Sequence, residues 1–179
     1  MAEEEKKERW LNYLALTTVI LAVCATLSTF KGGAYSTKSV LSQNQAANQW
    51  AYFQSKSIKG YLYEIQKDEI ELSLQNALKE KNDVLADQYR RQIALYVQKI
   101  KKYDDEKAAI MKEAKRLEGI RDEAQRHSYY LGIAVIFLQI AILLSSISAL
   151  MKKKILWLCS AVTGVVGIVY FVNGLFLII

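Results

Sequence analysis

Three long apolar runs without a charged residue constrain this chain more than any other feature of its sequence. They occupy residues 11–30, 130–150 and 155–179, and none contains Asp, Glu, Lys, Arg or His. About 20 helical residues cross the hydrocarbon core of a bilayer. Aromatic residues that favour the headgroup layer stand at the entrances of the runs: Trp10, Tyr13, Tyr129, Tyr130 and Trp157. The pattern predicts an integral membrane protein with three transmembrane helices in a lipid bilayer.

The composition extends the helical prediction to the rest of the chain. Among 179 residues there is no proline and there are only eight glycines, the two residues that most often interrupt helices. We therefore predict an all-α fold, with a polar N-terminal tail over 1–10, a basic turn over 151–154 and an extramembrane part over 31–128. The net charge of +6 does not indicate nucleic-acid binding, because acidic and basic residues are interspersed and form no basic block.

The extramembrane part is predicted to contain two long helices. Gly32 and Gly33 follow the first apolar run, and because glycine is a weak helix former we expect the first helix to end there. Ser36 and Thr37 then offer hydroxyl groups that can cap a new helix. The polar stretch 79–83 lies near the middle of 31–128 and suits a turn. Two arms of equal length that leave and re-enter one membrane face predict an antiparallel, coiled-coil-like hairpin.

Residues in the second arm repeat with the alternating spacing of four and three that is typical of a coiled-coil seam. The seam consists of Tyr89, Ile93, Tyr96, Ile100, Tyr103, Ile110 and Leu117. The first arm carries a less regular stripe of Ala47, Ala51, Ile58, Tyr61, Ile65 and Leu72. Long seams imply neighbouring helices, so we expect a homo-oligomer or a protein partner bound through the hairpin.

An aromatic cluster of Trp50, Tyr52 and Phe53 lies in the first arm. Rings of this kind can dock a lipid headgroup or a partner helix. They are more often buried in helix packing, which is the interpretation favoured here.

Within the apolar runs, a few polar and small residues are predicted to hold helices together. Gln139 lies near the centre of the second run, where an unpaired amide is costly, so we expect it to bond to another helix or to a second subunit. Ser160, Gly164 and Gly167 give the third run a small-residue face that permits close approach of another helix.

The sequence contains no set of residues that resembles a catalytic, metal or cofactor site. His127 is the only histidine, and we expect it to point to the membrane interface beside Arg126. A zinc site usually needs three or four ligands close together, and the two cysteines are predicted at different depths within the runs. A general base needs a nucleophile or an acid nearby. We therefore predict no metal, no cofactor and no enzymatic activity.

Positive charges beside the apolar runs indicate the orientation. Basic residues cluster before the first run, within 1–10, and between the second and third runs, within 151–154. Both clusters lie on the same side of the membrane, and this side carries more flanking positive charge than the other. The positive-inside rule therefore places the N-terminus in the cytoplasm and the hairpin outside.

One segment resembles a known family. Residues 48–59, NQWAYFQSKSIK, follow a first apolar run that ends in Lys31-Gly32-Gly33, and together these features resemble a family of short bacterial membrane proteins known only as a domain of unknown function. The resemblance covers nearly the whole chain: one span, a polar helical region with this segment, and a closing pair of spans. It implies a bacterial origin and a membrane location, and it implies no activity, cofactor or catalytic residue. We therefore expect the protein in the bacterial cytoplasmic (inner) membrane.

Two functions stay open at this point. The first is a non-enzymatic membrane scaffold whose hairpin mediates self-association or docks a partner. The second is a subunit of an oligomeric pore or a transport accessory, lined by neutral groups such as Gln139, Ser145, Ser146 and Thr163. An ion-coupled transporter is not favoured, because the three runs contain no charged residue.

Overall fold

The computed structural model describes residues 2–178, with side chains from residue 10 to residue 178. Three α-helices follow one another: α1 spans Ala2–Lys79, α2 spans Asp83–Met151 and α3 spans Lys154–Phe176. No strand occurs among the described residues, and the all-α prediction is confirmed. The predicted polar tail joins α1 from Ala2 onward, whereas the side chains of residues 1–9, with the charges used for the orientation, lie outside the described residues.

Each helix contains a segment that is long and apolar enough to cross a membrane. The predicted runs 11–30 and 130–150 lie inside α1 and α2, and most of the run 155–179 lies inside α3, which ends at Phe176. Ile179 lies outside the described residues. These segments are candidate spans by their length and composition.

The prediction that Gly32 and Gly33 end the first helix is wrong. Helix α1 continues through both glycines to Lys79. Thr37 Oγ1 donates a hydrogen bond to the Gly33 carbonyl inside this helix, at 3.0 Å, so the Thr37 side chain does not cap the start of a new helix. Ser36 likewise lies inside α1. Two glycines cost a helix about 2 kcal/mol relative to alanine. Contacts to α2 favour continuation: Ser128 Oγ donates to the Gly32 carbonyl at 3.1 Å, and a Cβ on Gly32 would lie 3.4 Å from Leu131 Cβ.

Residues 80–82 form the turn between α1 and α2. Lys81 adopts a left-handed conformation with φ 54°, and the Asn82 N–H donates to the Ala77 carbonyl at 3.0 Å. The Asn82 side-chain oxygen accepts a hydrogen bond from the Leu85 N–H at 3.1 Å. Asn82 therefore closes one helix with its backbone and caps the next with its side chain.

The helices form two compact units. The three-segment unit contains the residues up to Leu41 and from Ile120 onward, and the two-segment unit contains Ser42–Gly119. In the three-segment unit, the core includes Leu21, Ala25, Ala134, Leu138 and Ala141. In the two-segment unit, residues of α1 after position 41 pack against residues of α2 before position 120.

Candidate interaction surfaces

Three glycines of α3 bring that helix against leucines of α1 and α2. A Cβ added to Gly164 would lie 2.8 Å from Leu21 Cδ2, and one added to Gly167 would lie 2.8 Å from Leu138 Cγ. Gly174 is placed in the same way against a third leucine of the unit. A side chain at Gly167 would also lie 3.1 Å from the Leu138 backbone nitrogen, and one at Gly174 2.9 Å from that of Leu131, so the helices would have to move apart there. The predicted contact residues Gly164 and Gly167 thus lie at the contacts between segments of this unit.

Hydroxyl groups complete the polar contacts of the same unit. Ser160 is buried, and its Oγ donates a hydrogen bond to the Ala141 carbonyl at 2.7 Å. Thr18 and Ser145 share a short hydrogen bond between their hydroxyls. Ser145 is fully buried, so it is placed in packing between α1 and α2 and is not exposed on the outer surface of the unit.

Gln139 was predicted to bond to another helix or to a second subunit, and within the chain it makes no contact of this kind. Its side chain is exposed on the outer surface of α2, and no hydrogen bond joins it to any described residue. The core face of α2 is occupied by Leu131, Leu138 and Ala141, all fully buried. A bond to another helix of the same chain is therefore not formed, because the geometry of α2 turns Gln139 away from both α1 and α3, and the bond to a second subunit stays a prediction.

His127 was predicted to point to the membrane interface, and this prediction is also wrong. The imidazole is only 8% exposed. It stacks on Tyr35 of α1, with ring centroids 4.2 Å apart and planes within 8°, and its Nδ1 lies 2.7 Å from the Gly174 carbonyl of α3. Gly174 belongs to the last turn of α3, whose carbonyls have no partner farther along the helix. No sequence spacing links these residues, because they lie on three different helices.

In the two-segment unit, the predicted seam of α2 faces α1. All seven residues are buried or half-buried: Tyr89, Ile93, Tyr96, Ile100, Tyr103, Ile110 and Leu117. The face of α1 that meets them also repeats every four and three residues, and its members are Ser42, Ala46, Gln49, Phe53, Lys56, Gly60, Tyr63, Lys67, Ile70, Leu74 and Ala77. Gly60 lies under a tyrosine, since a Cβ on it would lie 3.8 Å from Tyr103 Cβ. The Tyr103 ring also stacks on Tyr63 of α1, with ring centroids 5.7 Å apart.

The apolar stripe predicted on α1 lies on the opposite, exposed face of that helix. We name it the outer stripe: Ala47, Ala51, Ile58, Tyr61, Ile65 and Leu72. Ile58 is 61% exposed, and Ile65 and Leu72 are each 63% exposed. The face of α1 that meets α2 instead carries Lys56, Gly60 and Tyr63. Within the outer stripe, the Tyr61 ring lies 5.9 Å from the Lys107 ammonium of α2. Ile58, Ile65 and Leu72 thus form an exposed apolar surface on α1.

The aromatic cluster divides between the two faces of α1. Trp50 and Phe53 are half-buried and make an edge contact with ring centroids 5.6 Å apart. The indole N–H of Trp50 donates to Glu118 Oε1 at 2.9 Å. Tyr52 is 50% exposed, and its ring contacts the Lys56 ammonium, 5.2 Å from the centroid. The three residues therefore do not form one cluster, because Tyr52 lies on another side of the helix.

An ion pair lies inside the seam of the two-segment unit. Lys56 Nζ is 2.7 Å from Glu106 Oε2, and it also lies 5.5 Å from the centroid of the Tyr103 ring. Contact with the Lys56 ammonium lowers the pKa of the Glu106 carboxyl below its ordinary value, and the carboxylate raises the pKa of Lys56. Both groups are therefore charged at neutral pH, and the pair joins α1 to α2.

A comparison with models of known protein families finds a match with the model described as Domain of unknown function (DUF4337), over residues 10–177. The chain belongs to the DUF4337 family. This confirms the resemblance to a family of unknown function, and the match covers all three candidate spans and the part between them. No curated protein and no solved structure matches this DUF4337 chain.

The description of DUF4337 names no activity, so the chemistry of this chain has to be argued from its own side chains. Among residues 10–178, no group of three or more His, Cys, Asp or Glu side chains is placed to hold a metal ion. Cys24 and Cys159 are both free. The features of this DUF4337 chain that stand out are two surfaces: the outer stripe on α1 and the face of α2 that carries Gln139.

Proposed function

We propose that this chain is a non-enzymatic, three-span membrane scaffold that associates with further copies of itself. In this arrangement the apolar segments of α1, α2 and α3 cross the bilayer. The parts of α1 and α2 between them form an antiparallel helical hairpin outside it. The lengths and compositions of the three helices support the spans, and the contacts within the two-segment unit support the hairpin.

The outer stripe is the observation that carries the self-association. It exposes Ile58, Ile65 and Leu72 at intervals of seven residues, the repeat at which a helix presents one seam to a partner helix. Copies that enter one bilayer in the same orientation are related by an axis along the membrane normal, and such symmetry places equal residues opposite each other. A second copy therefore offers a matching apolar seam to this surface.

Mass measurement in a gentle detergent tests this function. We expect the full chain to be a dimer or a larger homo-oligomer. Replacing Ile58→Lys together with Ile65→Lys should weaken that assembly, because each lysine would have to be desolvated in the seam. Leu95→Lys serves as the matched control, since Leu95 is an apolar residue of α2, 57% exposed, outside the outer stripe. A monomeric wild-type chain would overturn the proposal.

We place the protein in the cytoplasmic membrane of a bacterium, with the N-terminus in the cytoplasm and the hairpin outside. The basic clusters within 1–10 and 151–154 support this orientation. Glu80 is exposed in the turn, and replacing it with cysteine leaves the Asn82 cap in place. With both native cysteines changed to alanine, Glu80→Cys should react with a membrane-impermeant thiol reagent in cells whose inner membrane is intact. Reaction only after that membrane is opened would reverse the orientation.

A neutral-lined pore is the second candidate function, and the outward position of Gln139 favours it. An uncharged amide in the middle of a candidate span can line a water-filled path when several copies surround it. Ser146 and Thr163 donate their hydroxyls to their own helices instead. Conductance of the purified chain in a planar bilayer would support the pore, and its absence from a stable oligomer would support the scaffold.

A further inference from the structure

The exposed face of α2 within its candidate span repeats as regularly as a coiled-coil seam. Steps of four and three residues connect its members, which are Gly132, Ile136, Gln139, Leu143, Ser146 and Leu150. Ile136 is 58% exposed, Leu143 63% and Leu150 84%. We call this surface the Gln139 face. It lies on the three-segment unit alone and does not include the outer stripe.

Gln139 differs from the serine and threonine side chains on the outer surface of the candidate spans. Thr26 donates its hydroxyl to the Ala22 carbonyl and Ser146 donates to the Ile142 carbonyl, each at 2.9 Å. Such bonds satisfy a short hydroxyl within its own helix. The Gln139 amide carries two N–H donors and a carbonyl, and none of these is bonded to a described residue of the chain. In hydrocarbon it therefore requires a partner from outside the chain.

We propose that a second copy of this chain supplies that partner, with two α2 helices packed in parallel through their Gln139 faces and the two amides hydrogen-bonded across a two-fold axis. An amide is self-complementary, since it donates and accepts. Copies inserted in the same orientation run their α2 helices in the same direction, so Gln139 meets Gln139. This inference rests on the proposed membrane scaffold and adds to it the contact within the bilayer.

Small residues on the same face make close approach of the two helices possible. Gly132 lies seven residues before Gln139 and Ser146 seven residues after it. A Cβ added to Gly132 would meet nothing within 4 Å, so packing inside the chain does not require glycine there. Between them, Ile136 and Leu143 supply the apolar contacts. The amide thus lies between positions where two backbones can come together.

Disulfide cross-linking in membranes tests the contact directly. The full chain carries Cys24→Ala and Cys159→Ala and a single new cysteine at Ile136 or Leu143. Mild oxidation should join these variants into dimers. Val23→Cys on α1 and Val165→Cys on α3 are matched controls, since both positions are exposed within candidate spans, at 54% and 60%, and they should stay uncross-linked.

The contribution of the Gln139 amide to the dimer is tested in the same chain with Cys24→Ala and Cys159→Ala. Adding Gln139→Leu to Ile136→Cys should weaken the dimer by about threefold to thirtyfold, whereas Gln139→Asn, which keeps the amide, should retain most of it. Unchanged cross-linking with leucine would overturn the proposal. Rapid reaction of Ser146→Cys with a membrane-impermeant thiol reagent would also overturn it, because the face would then line water.

The outcomes separate this inference from the proposed function. A monomeric wild-type chain in gentle detergent overturns both. An oligomeric chain whose Ile136→Cys and Leu143→Cys variants cross-link no better than Val23→Cys and Val165→Cys overturns only the contact through Gln139.

Discussion

The three-segment unit and the two-segment unit join their helices with different kinds of residue. In the first, Gly164 and Gly167 let leucines approach a helix backbone, and hydroxyls supply the polar contacts. In the second, Tyr103 of α2 lies over Gly60 of α1, Tyr63 of α1 packs against Tyr96 and Tyr103, and Lys56 pairs with Glu106. Lipid is as apolar as leucine, so helices in a bilayer associate through close fit. Helices in water also gain from covering large rings and the stems of charged side chains.

The largest effect is expected from filling a close contact of the three-segment unit. In Gly167→Val, the new Cβ would lie 2.8 Å from Leu138 Cγ and 3.1 Å from the Leu138 backbone nitrogen, which cannot rotate away. We expect a loss of about 3 kcal/mol in the free energy of unfolding, measured by denaturation in detergent micelles. Gly33→Val is the control, since a Cβ on Gly33 meets nothing within 4 Å. Equal stability of the two variants would contradict the close packing.

The corresponding test in the two-segment unit removes a tyrosine from the seam. Tyr103 is half-buried and stacks on Tyr63 with ring centroids 5.7 Å apart. Tyr103→Ala should cost about 2 kcal/mol, below the value for a fully buried ring, and should lower the thermal midpoint followed by circular dichroism. Tyr52→Ala, at an exposed position, should cost less than about 0.5 kcal/mol. A larger loss for Tyr52 would mean that the outward face of α1 is the packed one.

Replacing Gly32 or Gly33 of α1 is expected to raise the stability of the fold instead of lowering it. A Cβ on Gly33 meets nothing within 4 Å, so Gly33→Ala should stabilise the continuous helix by about 1 kcal/mol and raise the thermal midpoint by about 2–4 °C. Gly32→Ala should stabilise it less, because its Cβ would touch Leu131 at 3.4 Å. A lower midpoint for Gly33→Ala would show a break in α1 at this position.

The smallest effect concerns the ion pair. The pKa of Glu106 is lowered in the folded chain by Lys56, so the pair stabilises the fold above the unfolded pKa of about 4.3 and loses that contribution as pH falls through the folded value. Glu106→Gln should lower the thermal midpoint at pH 7 by no more than about 2 °C and leave it unchanged well below pH 4. Lys56→Gln should reproduce this profile. A loss that persists in acid would mean that Glu106 acts through packing.

Periodicity predicts much of this fold, because it reports what each helix carries on its own faces. The absence of proline and the three uncharged runs predict an all-α chain with three candidate spans, and the heptad spacing of Tyr89 to Leu117 selects the face of α2 that is buried. Periodicity does not predict which face of α1 packs against this buried face of α2. The outer stripe is the more apolar face, yet Ala46, Gly60 and Ala77 lie on the buried face, which is joined to α2 by the stacking of Tyr63 on Tyr103 and by the ion pair of Lys56.

The errors at Gly32 and His127 and the outward position of Gln139 have a related cause. Glycine propensity is local, whereas Gly32 is held by Ser128 and Leu131 from another part of the chain. The burial of His127 depends on Tyr35 and on the end of α3. An apolar helix is apolar on all sides, so its sequence alone does not tell which side carries Gln139.

The hydrogen bond between His127 and Gly174 has a further consequence for observing the molecule. A carbonyl oxygen only accepts, so the proton of the neutral imidazole resides on Nδ1 and the lone pair on Nε2. The chain has a single histidine, so nitrogen NMR of a histidine-labelled sample contains the signals of one ring. Those signals report a fixed tautomer while the end of α3 packs against His127 and a mixture of tautomers once the end of α3 detaches. The ring is therefore a native probe of packing in the three-segment unit.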